Sequence, residues 1–228
     1  MPGPFDCTCD TVVPVRVALG VDIGGGSVKA GLVDEAGNLV GGLVSEPVGD
    51  DPLAAVLEAG RAALAKSSDP VVVGIGMGSP GYLDADRTSV VYSVNLGWRD
   101  LPIADIVAKE FDLPVVLEGD AFVAALGEAL AGAGRGVSDV LTVTLGTGVG
   151  VGHVIEGVLM VGAHGLAGQA GHIPIPGIEG ECPCGRSGCW ELAASTAALE
   201  RSAREAGFES AQRSEEHTSE LQSRQYLV

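Results

Sequence analysis

His172, Cys182, Cys184 and Cys189 stand in the order H-x9-C-x-C-x4-C, inside the stretch GHIPIPGIEGECPCGRSGCWE. The chain has only five cysteines and four histidines. Three thiols and an imidazole in one Pro- and Gly-rich segment are a concentration of metal ligands rather than core residues. Zinc favours four such ligands in a tetrahedron, and a Cys3His set forms a closed site with no open position. The expectation is therefore a structural zinc that braces a loop. Gly185 and Gly188 let the chain turn tightly between the thiolates. Buried free thiols or a disulfide are the alternatives. Cys7 and Cys9 form an isolated C-x-C near the N-terminus and read as part of an unstructured end.

Two glycine-rich turns suggest a second chemistry. GGGS (24–27) lies between the β-type runs VRVALGVD and VKAGLVD, and GTG (146–148) lies between VLTVTLG and VGVGHVIE. In both places a strand follows the turn. The glycines at 24–26 are therefore not a dinucleotide fingerprint, which needs a helix next. The same plan recurs roughly half a chain later, which predicts two related α/β halves. Glycine lets the backbone approach a ligand, and turn N–H groups then point at phosphate oxygens. Two such hairpins facing each other can hold a polyphosphate.

The remaining pattern supplies the elements that must carry these turns. Residues 39–46 continue the first meander, and 157–162 the second. Strands are expected at 70–81 and 113–118. Helices are expected at 52–66, capped by Asp50 or Asp51, and at 101–111, 120–133 and 191–207. The fold class is α/β. Residues 1–14 read as a disordered leader. RSEEHTSELQS, within 213–228, is what a common sequencing-adapter DNA encodes, so that tail is set aside and His217 is given no role.

The 228 residues are 46% hydrophobic and 19% charged, enough apolar content for a real core. The net charge of −17 argues against non-specific nucleic-acid binding or an anionic membrane surface. No apolar run is long enough to span a bilayer, and no basic-then-apolar leader opens the chain. The default expectation is a cytoplasmic, reducing setting.

DIGGGSVKAGLVDEAG (22–37), GIGMGSPGYLD (74–84), NLGW (95–98), LPVVLEGDAFVAALGEALAGAGRG (113–136), TLGTGVGVG (144–152), AGQAGHIPI (167–175) and CPCGRSGCWE (182–191) together resemble the ROK family of bacterial sugar kinases and sugar-responsive repressors. The resemblance covers about residues 15 to 208. It implies an actin-like, ribonuclease-H-like two-domain ATPase fold around an ATP and sugar cleft, most like a glucokinase. On that template, 15–118 is the N-terminal α/β domain, and 119–212 is part of the C-terminal one, with the zinc loop. Asp120 is then the catalytic base. Asp22 helps position Mg2+, and Gly24, Gly25, Gly26, Ser27, Gly146, Thr147 and Gly148 cradle the ATP phosphates. Gly119, Asp120, Gln169, His172 and Glu191 form the sugar side, His172 being shared with zinc. A homodimer is also implied.

Three positions depart from the family pattern. Gly119 stands where the family has Asn, which removes a sugar ligand. Gln169 replaces Glu, giving a hydrogen bond without charge assistance. Gly26 and Ser27 replace Thr and, often, Lys. The match also stops where relatives continue into the part that holds adenosine. These departures keep a non-catalytic sugar-binding regulator or an inactive fragment as the alternative. Repressor relatives carry a DNA-binding helix-turn-helix first, and only about 15 residues precede the first strand here. The kinase reading is therefore preferred.

Overall fold

A computed structural model describes residues 15–66 and 71–208. The leader with Cys7 and Cys9, and the 213–228 tail, lie outside the described residues. The chain runs through β1 (Arg16–Ile23), β2 (Ser27–Asp34), β3 (Leu39–Pro47), α1 (Pro52–Leu64), β4 (Val71–Ser79), β5 (Tyr82–Leu83), β6 (Val90–Ser93), β7 (Trp98–Leu101), α2 (Ile103–Phe111), β8 (Val115–Gly119) and α3 (Asp120–Leu130). It continues through β9 (Asp139–Leu145), β10 (Val149–Ile155), β11 (Val158–Leu159), a 3-10 turn (Gln169–His172), α4 (Glu191–Ala194) and α5 (Thr196–Glu205).

The first sheet has the order β3-β2-β1-β4-β8. Its first three strands form the antiparallel meander expected from the alternation, and β4 and β8 add in parallel on the other side of β1. Val17, Leu19, Val21 and Ile23 turn one face of β1 into the core, as a period of two requires. Asp51 caps α1 by accepting the Ala54 N–H at 3.0 Å, with Pro52 beginning the helix. The second meander, β11-β10-β9, forms its own three-stranded sheet. A third small sheet, β5-β6-β7, was not legible in the sequence, because strands this short show no period.

Helix α3 joins the two main sheets. Ala121 and Ala125, one turn apart on its face, sit where side chains on Gly150 and Gly152 of β10 would otherwise stand. On its other side Val123 occupies the space above Gly78 of β4. Missing Cβ atoms on the strands thus let the helix sit close to both sheets, and its first residue is fixed between them. Gly152→Val is expected to destabilise the fold by about 1–3 kcal/mol through overpacking against Ala125 and the Ala121 carbonyl. Gly26→Ala, where an added Cβ meets nothing within 4 Å, should leave stability unchanged. Thermal unfolding of the two variants checks this.

The helix expected over 191–207 is broken in two. Ser195 adopts an extended conformation (φ −75°, ψ 163°), and its hydroxyl caps α5 by accepting the Ala198 N–H at 3.3 Å. The next N–H, of Thr196, donates to the Gly146 carbonyl at 2.8 Å, which ties the break to the second glycine turn. The strand expected over 157–162 shortens to Val158–Leu159. Among the described residues, no helix is long and apolar enough to cross a membrane.

Candidate active site

A cleft of about 510 Å3 opens where the two glycine turns meet the start of α3. Asp22, Gly24, Gly25, Gly119, Asp120, Gly146, Thr147, Gly148, Gln169, His172 and Glu191 all line it. Gly26 and Ser27, expected beside them, do not. The turns do face each other: a Cβ built on Gly25 would lie 3.6 Å from the Thr147 hydroxyl. The Gly24 N–H closes its own turn onto the Ser27 carbonyl at 3.0 Å, and the Gly146 N–H closes onto the Gly148 carbonyl at 3.0 Å. The amides left to meet an anion in the cleft are those of Gly25, Thr147 and Gly148.

Asp120 is the first residue of α3. The N-cap position belongs to Gly119 (φ −61°, ψ 140°), and no side chain caps the helix. Asp120 Oδ1 accepts only the adjacent Ala121 N–H, at 2.8 Å, so the carboxylate is not acting as a helix cap. Asp120 is exposed along the cleft wall. Partial desolvation by the cleft, aided by the negative charge of Asp22 and opposed by the Ala121 bond, pushes the carboxyl above the ordinary aspartate value. A carboxylate held in a cleft with its proton affinity raised is suited to accept a proton.

Glu191 opens α4 and accepts the Val149 N–H at 3.0 Å, joining the cysteine loop to the second glycine turn. Glu118 accepts the Gly119 N–H at 2.9 Å and pairs with Arg87 at 3.3 Å. Lys29, Arg87 and Thr144 also line the cleft and were not singled out in the sequence. Lys29 had a readable signal, since the hairpin register sets it directly opposite Asp22. The carboxylates of Asp22, Glu118, Asp120 and Glu191 outnumber the cations of Lys29 and Arg87. A polyphosphate in such a cleft needs a divalent cation, and Asp22, close enough to Asp120 to act on its charge, offers the oxygen ligand Mg2+ prefers.

The four expected zinc ligands converge. Cys182 Sγ lies 3.6 Å from His172 Nδ1, and Cys184 Sγ lies 3.7 Å from Cys189 Sγ. All four donor atoms fall within 4.8 Å of one another. A tetrahedron with Zn–S bonds of about 2.3 Å separates its sulfurs by about 3.8 Å, so the spacing fits zinc. The three cysteines are free rather than disulfide-bonded. Burial, then the neighbouring thiols of Cys184 and Cys182, pushes Cys189 up to about 12. A bound cation reverses that preference and draws off the thiol proton. With Nδ1 on the cysteine side, Nε2 is the imidazole nitrogen left to face the cleft that His172 lines.

The sequence profile described as ROK family matches residues 18–225. A glucokinase of Halalkalibacterium halodurans is 38% identical, over 83% of this chain and 60% of its own length. A xylose repressor of Bacillus subtilis is 36% identical, over 58% of this chain and 34% of its own. Among solved structures, a ROK family glucokinase from Streptomyces griseus, in complex with glucose and AMPPNP, superposes with a TM-score of 0.76 at 38% identity, over 83% of this chain and 60% of that one. The chain thus spans about 60% of the length of the glucokinases it matches. The fold is that of these proteins in part.

Proposed function

The chain belongs to the ROK family, and on that premise we propose that it transfers the γ-phosphate of ATP to a hydroxyl of a hexose, with Asp120 as general base. The observation that carries this reading is the position of Asp120, at the head of α3 in one cleft with two opposed glycine turns. Residues up to Glu118 give the cleft one wall, and residues from Gly119 onward give it the other. The amides of Gly25, Thr147 and Gly148 hold the phosphates, and Lys29 adds a positive charge. Asp22 would help hold Mg2+, which would supply neutralisation of the phosphate charge. Gln169, His172 Nε2 and Glu191 orient the sugar. Asp120 takes the proton from the attacking hydroxyl as its oxygen bonds to the γ-phosphorus, and ADP leaves in line. His172, Cys182, Cys184 and Cys189 would hold a zinc ion with no open position, which would do no chemistry and would brace the loop that presents His172 and Glu191.

The test is a hexose panel with MgATP, reading sugar phosphate and ADP together. Equal amounts of both, for at least one hexose, are the expected result. A second reading, a sugar-binding regulator without catalysis, draws on the similarity to a xylose repressor and on Gly119 and Gln169. Sugar binding by calorimetry with no phosphate transfer to any hexose would favour it.

A further inference from the structure

Arg87 has no part in the mechanism above, yet three independent features converge on it. It sits in the 84–89 loop between β5 and β6 with a left-handed backbone, φ 57°, a conformation unfavourable for a residue with a side chain. Asp84 holds it there, accepting the N–H groups of Thr88 and Ser89 at 2.8 and 3.0 Å and the Thr88 hydroxyl at 2.8 Å. The side chain then reaches into the cleft. Its Nε pairs with Glu118 at 3.3 Å, the two side chains being only 25% and 16% exposed. The guanidinium also lies in the space a side chain at Gly165 would take, Nη2 being 2.6 Å from that Cβ position.

These two contacts belong to different parts of the cleft. Glu118 also accepts the Gly119 N–H and so fixes the backbone leading to Asp120. Gly165 belongs to the loop that runs into Gln169. The end of that loop is tied to β10 by the Val151 N–H to the Gly168 carbonyl at 3.1 Å, while the stretch around Gly165 is held by local turns such as Gly165 N–H to the Gly162 carbonyl at 3.3 Å and Ala167 N–H to the Val161 carbonyl at 3.1 Å. We propose that Arg87 is a positioning residue that straps the sugar end of the cleft, holding the Glu118–Asp120 junction against the 162–168 loop. The assignment of that end to sugar rests on the kinase reading. A planar guanidinium suits the task, since Nε pairs with the carboxylate, Nη1 donates to the Asp84 carbonyl at 3.5 Å and Nη2 is left to pack on the loop at Gly165.

The test uses Arg87→Gly combined with Glu118→Gln, which relieves the left-handed strain and leaves no unpaired charge in the cleft. The amide of the new glutamine still accepts the Gly119 N–H. The melting temperature is expected to stay within about 2 °C of the parent. The sugar KM should rise by about tenfold while the ATP KM stays within about twofold, the sign of lost positioning at one end only. Arg87→Lys, which can pair with Glu118 but cannot also reach the loop, should give an intermediate sugar KM. Amide hydrogen exchange in the sugar-free protein adds a readout independent of turnover: exchange over 162–169 should speed by about tenfold in the double variant, with β1 unchanged. Should the chain transfer no phosphate, the kinase reading falls and the exchange result still decides the strap. Unchanged exchange at 162–169 overturns it, as does a joint rise of both KM values with a falling melting temperature.

Discussion

Asp120→Asn is expected to lower turnover by about a thousandfold while sugar affinity stays within about twofold, because general-base catalysis contributes on the order of 100- to 10,000-fold. The amide keeps the shape of the carboxylate and one accepting oxygen, but it cannot take up the hydroxyl proton. Steady-state kinetics and sugar calorimetry on the same preparations separate the two effects. The substitution should also stabilise the protein at neutral pH. Partial desolvation raises the Asp120 carboxyl above 3.8, so the native state holds its proton more tightly than the unfolded chain does. The native protein therefore loses stability as pH rises through that raised value, and a neutral amide avoids the loss. The gain should shrink as pH falls and vanish below 3.8, where both states are protonated. Denaturant titrations at several pH values read this directly. On the kinase reading, the acidic limb of kcat/KM for the unsubstituted chain should lie above the usual aspartate range, since the base works only when ionised.

Zinc removal has the second large effect expected. Metal analysis should give about one zinc per chain. A chelator, or Cys189→Ser, should lower the melting temperature by about 10 °C or more, since a structural zinc contributes several kcal/mol to a domain of this size. The reason is local. Cys189 is wholly inaccessible, and its thiol sits beside two others and an imidazole, all within metal-ligand reach of one another. Its bridge to Pro174 and the Trp190 N–H bond to the Ile173 carbonyl, at 3.0 Å, hold the loop against the 3-10 turn that carries His172. Release of that loop frees Glu191 from the Val149 amide, so sugar affinity should weaken along with stability. Calorimetric unfolding with and without chelator checks the first effect, and sugar titration the second.

The parts of this molecule that were legible beforehand are those with a local physical signature. The two meanders showed through alternation and glycine, and the His172, Cys182, Cys184 and Cys189 cluster through residue types that are rare elsewhere in the chain. Asp120 was different: position alone marked a helix start, and only the family resemblance gave it a role. The structure adds that Gly119, not Asp120, is the cap. Gly26 and Ser27 were expected at the phosphates, but the bond from the Gly24 N–H to the Ser27 carbonyl sets the turn so that neither lines the cleft. Which residues of a turn face a ligand depends on its closure, and composition does not fix that. Arg87 was hidden for a related reason. Its loop reads as a polar connection, and its value comes from Glu118 and Gly165, both distant in sequence. The break at Ser195 was available as a cap signal, but the strong helix formers on either side masked it.

The most direct measurement of the central idea follows the label from γ-phosphate-labelled ATP in the presence of a hexose. If Asp120 works beside a triphosphate held between the two turns, label appears on the sugar, requires a divalent cation, and is lost with Asp120→Asn. Label transferred at an undiminished rate by Asp120→Asn, or released only as inorganic phosphate whether or not sugar is present, would contradict it.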